Sequence, residues 1–125
     1  MKMAIGLLIL MTAPIVGQMA PIEEVFRHVP PKARLKPNPL VHDPDAKAAG
    51  YKLFQQHCAQ CHGKSAEGTT GAPMLVGGVM VDAKPGELFW IVTNGVIRKG
   101  MPSWSKLPPP QRWQIVTYLG SLNHP

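Results

Sequence analysis

Cys58-Ala59-Gln60-Cys61-His62 is the stretch that governs the reading of the whole chain. Two thiols three positions apart can add to the two vinyl groups of one haem. The histidine directly after them is then placed to bind the iron. The pentapeptide has the form of a c-type haem attachment signal. Other readings of the same residues stand beside it. An exported cysteine pair can form a disulfide, but that leaves His62 without a role. A thioredoxin-like redox motif needs strands around it. A zinc site needs four ligands; His57 or His42 would have to join Cys58, Cys61 and His62, and the chain has no second paired motif.

Iron in an electron carrier usually takes a sixth ligand, and methionine opposite histidine raises the reduction potential. Three methionines follow the motif: Met74, Met80 and Met101. Each has core filling as its plain alternative. Met74 lies in Pro73-Met74-Leu75, close in the chain to the proximal segment. Met80 follows two glycines and is the competitor. Met101 stands between Gly100 and Pro102, with Trp104 just beyond. Glycine lets the backbone come close to the ring and proline stiffens the loop, so Met101 is the expected distal ligand.

Around these loops the apolar periodicity predicts helices. Asp43-Pro44-Asp45 has the form of a helix start, with Asp43 as the N-cap acid and proline just after it. A helix from there to about His57 puts Ala46, Ala49, Gly50, Leu53 and Phe54 on one face. Cys58 to Gly78 reads as a glycine-rich loop. Pro85-Gly86-Glu87 opens a second helix, Glu87 to Thr93, with Leu88, Ile91 and Val92 as its apolar side. Asn94-Gly95 ends it as a left-handed cap. The last helix, Gln111 to Leu122, buries Trp113, Val116, Leu119 and Ile115. No alternating strand pattern of useful length occurs, so the expected class is all-α. Proline and glycine are many, at 14 and 12 of 125 residues, and aromatics are few. The core is therefore thin, and a domain of this size gains from a cofactor that staples it.

Upstream, residues 1–20 have a lone Lys2 and an apolar run from Met3 to Val16, the layout of an export signal. The run is short for a membrane helix, and Pro14 interrupts it. The alternative is an uncleaved anchor tethering the protein at the outer face of the inner membrane. Residues 21–44 form a proline-rich arm, expected to be mostly irregular, with a short helix around Ile22 to His28 and a path over the domain. Residues 45–125 form the functional domain.

Charge is uneven. From Pro21 to Asp45 four basic residues are balanced by four acids, whereas from Ala46 onward eight Lys and Arg face three acids, a net of +5. Nucleic acid is a poor fit, because no element carries a dense basic stripe and the chain reads as exported. Acidic redox partners fit better, since complementary fields speed encounter. Lys64, Arg98, Lys99 and Lys106 flank the loops expected to contact the cofactor and are candidates for a docking ring; a merely solvated face is the alternative. His28, His42, His57 and His124 are expected to be solvated, Trp90 and Trp113 to be core, and Trp104 either to line the haem edge or a propionate or to be core.

Gly50, Phe54, Cys58, Cys61, His62, Pro73, Leu75, Met101 and Tyr118 fall in the order seen in class I c-type cytochromes. The stretch from Asp45 to Leu122 resembles the monohaem, bacterial periplasmic members of that family. The resemblance implies a small cytochrome c fold, with about three to four helices around one covalent haem c. It implies that the first and last helices cross at Gly50, where Gly50 and Phe54 meet Ile115 and Tyr118. It also implies that Pro73 offers its carbonyl to the ligand histidine His62, and that Leu75 belongs to the haem surroundings. Asn38-Pro39-Leu40 is reminiscent of small cytochromes that serve bacterial dehydrogenases and oxidases.

The resulting expectation is a periplasmic or exported single-electron carrier, or a subunit of a respiratory or dehydrogenase complex, with axial ligands His62 and Met101. No residue pattern suggests a catalytic acid or base near the iron, so the chain reads as a carrier and not an enzyme. The alternative is a haem protein with an open sixth position for a gas or peroxide.

Overall fold

The computed structural model describes residues 21–125, so the export-signal or anchor reading of residues 1–20 falls outside it. The principal elements of the described chain are helices: α1 (Pro21–Arg27), α2 (Pro31–Arg34), α3 (Ala46–His57), α4 (Ala59–His62), α5 (Pro85–Asn94) and α6 (Pro109–Asn123). Two single 3-10 turns, Gly78–Val81 and Ile97–Lys99, punctuate the loops. Among the described residues, extended pairing is limited to two isolated bridges, Thr69 with Ala72 and Val96 with Met101.

The three long helices are those the periodicity predicts, α3 within the expected bounds and α5 and α6 slightly wider. α6 begins at Pro109 because prolines at the first helical positions give up N–H groups that no helix would use. α5 begins at Pro85, and the Glu87 carboxylate folds back to accept from the Lys84 N–H at 2.8 Å. Asp43 works differently from expectation. Its carboxylate accepts from the Asp45 N–H at 2.9 Å, a turn one step ahead of α3, and Asp45 itself takes the cap position. Gly95 has φ +68 and ψ −172, outside the left-handed helical region that a simple cap would use and in one open essentially to glycine alone.

α3 packs across α6 as the principal contact of the domain. A Cβ on Gly50 would overlap the Gln114 carbonyl oxygen and approach the Tyr118 Cβ to 2.9 Å. The closest approach is thus to the backbone of Gln114, one residue before the expected Ile115. One turn on, the Phe54 ring lies 5.3 Å from that of Tyr118. Phe54, Ile115 and Val116 are among the most deeply buried side chains, with Trp113, Tyr118 and Leu119 beside them.

Two segments are more ordered than the sequence suggests. The haem-motif residues 59–62 are a helical turn, α4, where the sequence pattern implies loop. Cys58 kinks the backbone after α3, and Gly63, with φ +85, stops the renewed turn. Four small and polar residues carry no periodicity to announce this. In the arm, α1 is the short helix expected around Ile22 to His28, α2 is an addition to it, and the arm contributes Phe26 and Val29 to the core. The Arg34 guanidinium secures it, donating to the carbonyls of Phe26 and Val29 at 3.0 and 3.1 Å and reaching the buried Glu87 at 3.6 Å. Further along, Asn38 donates to Thr117 on α6 at 2.9 Å and accepts from the Leu40 N–H.

Candidate functional site

A cavity of about 760 Å³ opens between α1, α3, α4, α5, α6 and the loops 69–80 and 96–104. Cys58, Cys61, His62, Pro73, Leu75, Met101 and Trp104 all line it. Its walls are apolar side chains, among them Phe54, Leu88, Ile91, Val92, Ile115 and Leu119. The volume falls in the range of roughly 300–1,000 Å³ usual for cofactor sites. The wall chemistry suits a flat, largely apolar macrocycle. Cys58 is half-buried and Cys61 is exposed at the rim. Burial, then the neighbouring Cys61 thiol, pushes the Cys58 thiol up to about 11. Before it is joined to anything, Cys58 is therefore a neutral thiol at physiological pH.

His62 is oriented by the backbone opposite. Its Nδ1 lies 2.9 Å from the Pro73 carbonyl. A carbonyl only accepts, so Nδ1 carries the proton and the ring's lone pair sits on Nε2. That arrangement fixes tautomer and ring direction together, as partners of metal-binding histidines generally do. The segment holding Pro73 is pinned in turn. Thr69 Oγ1 donates to the Cys61 carbonyl at 2.7 Å, and the Leu75 N–H donates to the Ala66 carbonyl at 2.9 Å. Asn123, near the end of α6, donates to the Leu75 carbonyl and accepts from the Gly77 N–H at 2.8 Å.

Met101 is held by the backbone on the other side. Its N–H and carbonyl pair with those of Val96 at 3.2 and 2.9 Å, around the 3-10 turn Ile97–Lys99. Gly100 closes that turn at φ +88, and a Cβ there would meet no protein atom within 4 Å. Its glycine therefore serves the left-handed backbone. The tight approach lies at Gly95, where a Cβ would come within 2.5 Å of Pro102. Beyond Met101 the loop is tied back to α5: Ser103 Oγ donates to the Thr93 carbonyl at 2.6 Å and the Trp104 N–H to the Val92 carbonyl at 3.0 Å. Arg112, buried on α6, donates to Thr93 Oγ1 and to the Leu107 carbonyl.

The competing methionines separate by position. Met74 is 55 % exposed, whereas Met80 is buried on the cavity wall. His57, expected to be solvated, instead lines the cavity and lies 5.0 Å from the Trp104 ring. Lys106 Nζ sits over the Trp104 ring, 5.3 Å from its centroid. Trp90 is half-buried in a groove against the arm and not in the centre of the core. Of the basic set around the loops, Arg98 and Lys99 are paired with Glu24 at 2.9 and 3.7 Å, so they are not free charges. Lys64 is exposed. Glu24 is held below its ordinary value by the Arg98 hydrogen bond, then by the charges of Arg98 and Lys99.

Sequence reasoning did not single out Asn123, Arg112 or the apolar face of α1. Asn123 and the buried Arg112 carry no local signal, since their partners are distant in sequence. Ile22, Val25 and Phe26 line the cavity from α1. Their spacing of three and four matches one helix face, in line with the short helix expected around Ile22 to His28.

Residues 45–119 match the family described as cytochrome C oxidase, cbb3-type, subunit III. The chain is 45% identical over 59 residues to the cbb3-type cytochrome c oxidase subunit CcoP of Rubrivivax gelatinosus, covering 47% of this chain and 17% of that protein. It is 36% identical over 80 residues to subunit FixP of Bradyrhizobium sp. (strain ORS 278), covering 60% of this chain and 27% of that one. Among solved structures it resembles cytochrome cL from the marine methylotroph Methylophaga aminisulfidivorans MPT, with a TM-score of 0.60 and 26% identity over 78% of this chain and 67% of that one. The chain thus spans under a third of the length of the curated relatives it matches.

Proposed function

The chain belongs to the cytochrome c oxidase, cbb3-type, subunit III family of c-type cytochromes, and from that membership we propose that it moves single electrons outside the bacterial cytoplasm through one haem with His62 and Met101 as axial ligands. The haem c is covalent, through thioether bonds at Cys58 and Cys61. When bound, it supplies an iron that cycles between ferrous and ferric states. Everything else is the work of the protein.

In this reading Pro73 holds the His62 proton on Nδ1, so that Nε2 is always free to bind metal. The Val96–Met101 pairing and the Gly95 contact with Pro102 hold the thioether at a constant position. A soft sulfur donor favours the ferrous state, so its ligation raises the potential. Phe54, Leu88, Ile91 and Leu119 exclude water, while Trp104 and His57 close one side of the rim. The observation that carries the reading is the meeting in one apolar cavity of Cys58, Cys61, a His62 already oriented by Pro73, and a backbone-clamped Met101.

The physiological role we propose is that of a carrier or subunit delivering electrons within a respiratory oxidase or dehydrogenase system, with acidic redox proteins as partners. Residues 1–20 would direct export or tether the protein at the membrane, residues 21–44 form the arm, and residues 45–125 hold the haem. No described helix is long and apolar enough to cross a membrane.

The test compares Met101→Ala with Met80→Ala in the oxidised holoprotein. Met101→Ala is expected to abolish the sulfur-to-iron charge-transfer band, lower the potential and open the iron to cyanide and carbon monoxide. Met80→Ala should keep the band and lose stability only, by about 2–5 kcal/mol for a buried methionine. A band that follows Met80 refutes the ligand assignment. A wild type that binds carbon monoxide readily refutes the six-coordinate carrier in favour of an open-site haem protein.

A further inference from the structure

The family match begins at residue 45, yet α1 faces the haem cavity. Ile22, Val25 and Phe26 lie on one face of α1 and line that cavity, and Phe26 is only 8% exposed. The polar edge of the helix reaches the loop that carries Met101. Arg98 Nη2 donates to Glu24 Oε1 at 2.9 Å, and Lys99 Nζ lies 3.7 Å from Oε2. Both cations belong to the turn Ile97–Lys99, which Gly100 closes immediately before Met101. On its other side α1 is held by Arg34, whose guanidinium caps the Phe26 and Val29 carbonyls and reaches Glu87 at the start of α5. The helix is therefore bridged between the Met101 turn and α5, with its apolar face over the cavity.

We propose that α1 is an added outer wall of the haem cavity, and that Glu24 is a positioning residue holding the turn that presents Met101. The proposal rests on the reading of Met101 as the axial ligand. Three apolar side chains over the opening keep water from the cavity, which disfavours the more highly charged ferric state and so raises the potential. The two ion pairs resist the outward movement of the turn that an external ligand needs in order to displace the methionine sulfur. Each pair is half-exposed, so the effect of Glu24 is small and sensitive to salt.

The experiment uses the full-length holoprotein with Glu24→Gln, Val25→Ser and, as control, Glu23→Gln, an exposed acid on the same helix. Three quantities are read: the cyanide association rate of the ferric form, the reduction potential and the sulfur–iron band. Glu24→Gln is expected to speed cyanide association roughly twofold to fivefold, the yield of two exposed ion pairs. The wild-type rate should rise with salt until it meets that of the variant. Val25→Ser, which puts a hydroxyl on the wall, should speed association roughly tenfold and lower the potential. Glu23→Gln should match wild type. Equal rates in wild type, Glu24→Gln and Val25→Ser overturn the proposal. If Val25→Ser fails to take up haem, Glu24→Gln and its salt dependence decide alone. A wild type with no sulfur–iron band refutes the Met101 reading instead, and with it the positioning role of Glu24. The wall itself would then be supported by a lowered potential in Val25→Ser and overturned by an unchanged one.

Discussion

Replacing Gly50 by alanine adds one methyl group at the point where α3 and α6 are closest. The added Cβ would overlap the carbonyl oxygen of Gln114, lie 2.6 Å from its carbonyl carbon and 2.9 Å from the Tyr118 Cβ. Two of the three obstacles are backbone, so no rotamer change relieves them and the helices have to part. Parting loosens the Phe54–Tyr118 contact and the buried Ile115 beside it. Overpacking of this kind costs about 1–3 kcal/mol, and overlap with backbone places it at the upper end. Alanine returns about 1 kcal/mol of helix propensity. The expected net loss is about 2 kcal/mol. Gly120, on α6, supplies the control, because a Cβ there would meet nothing within 4 Å. Gly120→Ala should stabilise the protein by about 0.5–1 kcal/mol. Urea unfolding of the holoproteins, followed by the haem absorption and by circular dichroism, measures both. A loss of 2 kcal/mol corresponds to a midpoint lower by roughly 1–2 M. If Gly50→Ala is as stable as Gly120→Ala, the close crossing of α3 and α6 is not what organises the domain.

The remaining predictions concern the site. Cys58→Ala with Cys61→Ala should give a chain that shows no haem stain after denaturing electrophoresis and that fails to fold, because the cofactor fills the middle of a thin core; a stable, colourless, soluble double variant would contradict this. Gly95→Ala forces a side chain into a glycine-only backbone region and against Pro102, at about 1–3 kcal/mol of strain, and should weaken the sulfur–iron band while leaving haem attachment intact. Glu24 titrates below its ordinary value of 4.5, with Arg98, Lys99 and His28 as the charged groups acting on it. A depressed folded-state value means that its contribution is complete above pH 4.5 and is lost as the pH falls through the lowered value. The stability difference between wild type and Glu24→Gln in urea should therefore be constant near neutrality and vanish in acid; a difference that grows in acid would show the opposite linkage.

The sequence by itself determined the covalent haem c and the course of the long helices. Cys58, Cys61 and His62 are adjacent, so their joint meaning is local and needs no fold to be read. The stripes Ala46-Gly50-Phe54, Leu88-Ile91-Val92 and Trp113-Val116-Leu119 are periodic, and periodicity is a local property as well. Only the tertiary structure decided what lies far apart in the chain. It put Gln114 rather than Ile115 opposite Gly50, a matter of the angle at which two helices cross. It turned residues 59–62 into a helical turn, which four small and polar residues could not announce. It set the half-buried His57 against the Trp104 ring, and it paired Arg98 and Lys99 with Glu24, so that two charges that read as a free surface are engaged in ion pairs. Above all it chose the anchors of the proline-rich arm, whose path over the domain was expected: Arg34 with Glu87 and Asn38 with Thr117. Those contacts join residues 53 and 79 positions apart, and nothing in a local pattern records which partner a polar side chain will meet once the chain has closed on itself.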